Sequence, residues 1–280
     1  MSRLVRLFGV AAFILAAATV NTRDAHADSW PTSVGLSEVR IGGKTYRAYR
    51  GEGMSPEQAK AFVKKALAHI GNKSTTLAEV YATVQVADSV AFNMTNPRDE
   101  SAVYRQFEKG LRALAKGGDG VNSQLALSVH GVYKRMRLNQ DVGNIERSSA
   151  WRQLRRLQKV VKAPALELVV AALSNDIAYH HAEQTRDQAA ANKQLARSSQ
   201  LLLSATSKLL YQSSRQTPSS ASRHDQKLLK SFIAYGEWYP EVAKTTQPVA
   251  KVLSSRGTNM QKIRRLQRLT RPRPLRAARR

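Results

Sequence analysis

Asp176, His180, Glu183 and Asp187 follow one another at spacings of four, three and four residues, which lines up an imidazole and three carboxylates along one side of a helix. Carboxylates beside an imidazole hold metal ions or relay protons. A dinuclear site in a helical bundle would also need Glu-x-x-His on facing helices, and the chain has no such motif. The preferred reading of this face is a solvated polar side, or a polar interface with basic helices. It assigns no metal and no cofactor.

Glu237 stands among Tyr235, Trp238 and Tyr239, where a glutamate could be desolvated into a general acid and the rings could stack on a sugar. A helix end packed on a core gives the same local sequence, so no catalytic residue is assigned. Cysteine is absent, which removes thiol chemistry, iron–sulfur ligation and disulfides. The sequence also lacks GxxxxGK[ST], HExxH and GxSxG, and has no GxGxxG following a strand. An enzyme is the less favoured reading.

Charge is more informative. The chain has 45 Lys and Arg against 20 Asp and Glu, a formal net charge of +25. Such an excess calls for an anionic neighbour: an acidic protein, an anionic lipid, an anionic polymer or a nucleic acid. Arg152, Arg155 and Arg156 form one cluster. From Lys251 onward there are eleven basic residues and no acidic one, among them Lys262, Arg264, Arg265, Arg268, Arg271, Arg273, Arg276, Arg279 and Arg280. These are the residues expected to meet the anionic partner, because a planar guanidinium can pair two donors with one phosphate or carboxylate group.

The leading segment bears on location. Arg3 and Arg6 precede the apolar run from Leu7 to Val20, and Ala25-His26-Ala27 offers a small-x-small cleavage pattern. Residues 1–27 are therefore expected to be a secretion signal, and the mature protein to work in the periplasm or outside the cell. No later stretch has the roughly 20 apolar residues of a membrane span.

The elements that must position these groups read as mainly helical. Residues 28–54 are irregular apart from a β-hairpin, with Val39 and Ile41 before Gly42-Gly43 and a β-prone run after it. Residues 55–250 form a helical body. Ser55-Pro56-Glu57-Gln58 is a capping box with proline at the first helical position. Apolar stripes then predict helices near 56–70, 77–91, 97–114, 122–138 and 149–161. The segment from about 165 to 212 contains no proline or glycine. It is read as one long helix that either runs on for roughly 70 Å at 1.5 Å per residue, or breaks near His180 to Arg186. A helix around Phe232 follows, and residues 251–280 are a basic amphipathic helix with an unfolded tail.

The expected architecture is thus a mainly α, bundle-like body with a small N-terminal hairpin, one long helix and a basic C-terminal tail. The expected role is that of an exported, non-enzymatic binding or structural component of an envelope or extracellular assembly, possible as a homo-oligomer. A nucleic-acid-binding protein and an envelope or glycan hydrolase are the alternatives.

Overall fold

The computed structural model describes residues 38–47, 54–92, 94, 96–117, 120–138, 140–215, 217, 219–238 and 240–270, excluding the side chains of 47, 184, 185, 235–241 and 270. The expected signal (1–27), the tail from Arg271 onward and the side chain of Glu237 lie outside this description.

Strands β1 (Glu38–Ile41) and β2 (Lys44–Arg47) pair antiparallel, with Val39 opposite Tyr46 and Ile41 opposite Lys44. Both turn residues have positive φ, 57° at Gly42 and 80° at Gly43, which glycine adopts without a steric penalty. A lone hairpin is marginal in water. This one buries Val39, Ile41 and Tyr46, and the Tyr46 ring lies 4.6 Å from that of Phe62.

Four helices follow: α1 (Pro56–Gly71), α2 (Leu77–Phe92), α3 (Pro97–Lys116) and α4 (Gly120–Arg137). The Ser55–Gln58 capping box forms at the start of α1, and Asn96 caps α3 ahead of Pro97. Lys60, Leu67 and Gly71 of α1 meet Gln106, Gly110 and Leu114 of α3 in the same order, so these two helices run parallel. Short connections reverse the chain between neighbours, giving an up-down-up-down bundle.

A short helix α5 (Val142–Arg147), capped by Asp141, and helix α6 (Ser149–Val160), capped by Ser148, lead out of the bundle. The sequence reading missed α5, whose single turn and a half carries only Ile145 to the core.

The long segment is two helices, α7 (Pro164–Thr185) and α8 (Gln188–Arg215), so the continuous 70 Å rod is corrected in favour of the break. Arg186 turns the chain with a left-handed φ of 59°. The Asp187 carboxylate then accepts the amides of Ala189 and Ala190, both 3.0 Å away, and starts α8 anew. Glu167 on α7 meets Ser204 and Lys208 on α8, which fixes the pair as antiparallel.

Helices α9 (Ser220–Trp238), α10 (Pro240–Ser254) and α11 (Asn259–Thr270) complete the body. Pro240 sits at the start of α10, where its missing N–H would be unpaired anyway. Pro248 lies inside α10 and hid its helical pattern.

Helices α2 and α7 form the centre. Every residue from Val80 to Ala91 in α2 is buried, and so is nearly all of α7 through Ala178. A helix apolar all round is expected at such a position, yet both carry polar residues there.

Candidate functional site

Asp176 is fully buried where α7 meets α4, so at this residue the expected side of the helix is an interior interface and not a solvated face. His180 is also buried, its Nε2 lying 3.2 Å from the Gln140 carbonyl oxygen. Glu183 is exposed. Asp187 lies past the helix break and caps α8, 3.4 Å from His181 Nε2. The four side chains thus have separate surroundings and do not form one site.

Asp176 instead joins residues that sequence reasoning missed. Gln85 Nε2 donates to the hydroxyls of Tyr81 and Tyr133, at 3.1 and 3.2 Å. Those hydroxyls lie 3.0 Å apart, and that of Tyr133 donates to Asp176 Oδ2 at 3.4 Å. Burial holds the Asp176 carboxyl well above the usual carboxylate range, against the weaker opposing effect of the Tyr133 hydrogen bond. Burial likewise raises both tyrosines, and the charge of Asp176 adds to it. The cluster sets a carboxyl group and two phenols in one buried hydrogen-bonded row.

One turn further along α2, Asp88 Oδ1 lies 2.9 Å from His130 Nδ1 on α4, with both side chains sealed from solvent. Tyr104 and Phe107 of α3 pack on the imidazole, with ring centroids 4.7 and 5.4 Å away. Arg137 donates to the Asp88 carbonyl oxygen at 2.5 Å, and its guanidinium sits 4.9 Å from the rings of both Phe92 and Tyr104. A carboxylate that orients an imidazole is the arrangement of a general base. Here it lies inside a packed core, where a substrate would have to displace α3 to reach it. Among the described residues, no three His, Asp or Glu side chains gather to hold a metal ion. The sequence signal for this cluster was Thr83, Gln85, Asp88 and Ser89 interrupting an otherwise apolar helix.

A shallow cleft of about 270 Å³ opens where α7 and α9 begin, lined by Lys162, Gln212, Ser219, Ser222 and Asp225. Ala163 offers α7 no side-chain cap. The Asp225 carboxyl does that work across the cleft, accepting the Ala165 amide, while burial pushes its pKa up to about 6.

The basic residues divide into groups. Arg152 and Arg156 stand exposed on the outer face of α6, opposite buried Trp151, Leu154 and Leu157. Arg155 is half-buried on the flank that faces α8. On α11, Arg264 and Arg268 are exposed, while Ile263 and Leu266 turn inward. Lys262 and Arg265 act internally: Lys262 donates to the Leu253 carbonyl oxygen at 2.6 Å, and Arg265 to that of Arg256 at 2.9 Å. Both thereby serve the C-terminal end of α10, where exposed carbonyls favour cations. Arg271, Arg273, Arg276, Arg279 and Arg280 lie outside the described residues.

No helix among the described residues is long and apolar enough to cross a membrane. Comparison of the chain with protein families, with curated proteins and with solved structures finds no match.

Proposed function

We propose that this protein is an exported, non-enzymatic binding component that attaches to an anionic partner through the outer face of α6 and the α11–tail region. The observation that carries this reading is the set of unneutralised cations. Neither α6 nor α11 contains a carboxylate, and among the described residues no acidic side chain pairs with Arg152, Arg156, Arg264 or Arg268. Some cations elsewhere are neutralised: Lys134 and Arg112 share Glu108, and Lys208 meets Glu167.

The burial of the polar core weighs on the same side. The side chains best suited to proton transfer, Asp88, His130 and Asp176, are enclosed, which suits a structural part and leaves the exterior for binding. The leading segment, with Arg3 and Arg6 ahead of an apolar run and Ala25-His26-Ala27, supports a role outside the cytoplasm, in the periplasm or beyond.

Point neutralisation tests this better than truncation, because α11 buries Ile263 and Leu266 and its removal would open the core. The full chain and the variants Arg152→Gln/Arg156→Gln and Arg264→Gln/Arg268→Gln would be used to recover partners from native envelopes over a salt series. Loss of one acidic partner from either variant, with the fold intact by circular dichroism, is the expected result. Recovery of the same partner by both variants at every salt concentration would reject the reading.

A further inference from the structure

The turn between α7 and α8 opposes its own sequence. From Ala165 to Arg215 the chain has neither proline nor glycine, yet it reverses direction at Arg186. Arg186 takes a φ of 59° and a ψ of 14°, the left-handed conformation in which a Cβ crowds the following carbonyl oxygen. Its neighbours favour a helix instead. Ala182-Glu183-Gln184 precede it and Gln188 to Ala191 follow it, and all of these are strong helix formers.

Few groups hold the reversal at its tip. Asp187 caps α8 through the amides of Ala189 and Ala190, and lies 3.4 Å from His181 Nε2. Ala178, Ala191 and Leu195 are buried there with Ala182 beside them, a small cluster separate from the main core. The larger apolar contact lies away from the turn: Leu202, Leu209, Leu228 and Phe232 join the core built by the residues before it. Polar contacts tie the same two parts. Glu167 meets Ser204 and Lys208, Glu146 meets Gln194 and Arg197, and Glu38 meets Lys227.

None of these contacts requires both partners to belong to one chain. If the two-residue link straightens, α7 and α8 become a single helix from Pro164 to Arg215, about 78 Å long at 1.5 Å per residue. The part after the link then leaves its own core and meets that of a second, antiparallel copy. Each contact named above forms again, now between copies. At the link itself, Arg186 becomes helical, and Asp187 exchanges its capping bonds for the backbone ladder of a continuous helix. The hinge therefore decides the balance, and short hinges under strain favour such an exchange.

We propose that this chain forms a domain-swapped dimer, in which α7 and α8 fuse through Arg186 and the residues from 187 onward pack on a second copy. The exchange is independent of the anion-binding reading, because none of Arg152, Arg156, Arg264 and Arg268 lies at the hinge.

The test combines light scattering over a concentration series with cross-linking of the full chain. Cysteine is absent, so Glu167→Cys/Ser204→Cys introduces the only thiols, at positions whose native side chains meet at 3.2 Å across α7 and α8. A short bismaleimide joins them, and the denatured product is sized. A dimer whose cross-links give a product of twice the chain mass is the expected result. A dimer whose cross-links stay within single chains overturns the proposal, as does a chain that is monomeric at its highest soluble concentration.

Two hinge variants give the second arm, both at exposed positions where substitution leaves the core intact. Arg186→Gly accepts the left-handed turn freely and opposes the continuous helix, at both hinges of the dimer. It is expected to raise the dimer dissociation constant by about a hundredfold or more. Asp187→Ala removes the cap of the closed form and supplies a better helix former, so it is expected to lower that constant by about tenfold or more. A dissociation constant that neither variant moves, or that moves in the opposite directions, overturns the proposal.

Discussion

The Tyr133 hydroxyl on α4 reaches Asp176 Oδ2 on α7 at 3.4 Å, inside a core where neither residue meets solvent. The carboxyl binds its proton more tightly in the native state than in the unfolded chain, because burial raises its pKa. The stabilisation that comes with that proton is full below the ordinary carboxylate range, and is lost as the pH rises towards the native value. Asp176→Asn keeps an acceptor for Tyr133 and removes the titration. It is expected to match the wild type at about pH 4 and to gain on it as the pH rises above the ordinary carboxylate range, read as melting temperature against pH. A constant difference as the pH rises would contradict a buried, protonated Asp176.

The Asp88–His130 pair behaves differently, because each member depends on the other. Removing one partner of a buried hydrogen-bonded pair leaves the second unsatisfied, at a cost of about 1–3 kcal/mol. His130→Ala also forfeits the packing of Tyr104 and Phe107. Urea unfolding of His130→Ala, Asp88→Ala and the double variant forms a cycle, with an expected coupling of at least about 1 kcal/mol, as for contacting residues. Additive effects would mean that the 2.9 Å contact contributes packing alone.

These two clusters show what sequence pattern carries and what it does not. The capping box at Ser55, the proline starts at Pro56 and Pro97 and the glycine pair of the hairpin act locally, so they were legible from neighbouring residues alone. Alpha-helical stripes such as Val103, Phe107 and Leu111 named the buried side of α3 for the same reason. The polar core was not legible, because helical periodicity reports which residues share a side but not whether a second helix covers it. Asp176 and His180 do share a side of α7, and only the return of α8 and the crossing of α4 decide that this side is interior. Lys262 and Arg265 read as surface charge for a related reason: the carbonyls they serve lie in the last turn of the preceding helix, α10, and just beyond its end.

At Gly131, α4 packs directly against Ala150 of α6. A Cβ placed there would lie 2.6 Å from the Cβ of Ala150, which is fixed directly to its backbone and cannot swing aside. Alanine gains about 1 kcal/mol over glycine in a helix interior, whereas overpacking of this kind costs about 1–3 kcal/mol. Gly131→Ala is therefore expected to destabilise, with Gly131→Ala/Ala150→Gly recovering much of the loss. Chemical denaturation of the three variants would show it. A stabilised Gly131→Ala would mean that α4 and α6 have room to part.

Asp225 gives the prediction with the most defined pH window. Its carboxyl caps α7 from α9, and its pKa rises from 3.8 to about 6 because burial outweighs the hydrogen bond from Ala165. The native state therefore holds this proton more tightly than the unfolded chain. Stability from it is full below about pH 4, declines as the pH rises through about 6, and is absent above that. Two pKa units correspond to roughly 3 kcal/mol at most. Asp225→Asn still offers an oxygen to the Ala165 amide and has no charge to bury, so its advantage over the wild type should appear between pH 4 and 6 and level off above pH 7. Asp225→Ala should lose the cap at every pH, by about 1 kcal/mol. Comparing the two separates the charge from the hydrogen bond. If Asp225→Asn is less stable than the wild type at pH 8, then the carboxylate is stabilised there by a cation, and Lys162, which lines the same cleft, is the residue to neutralise next.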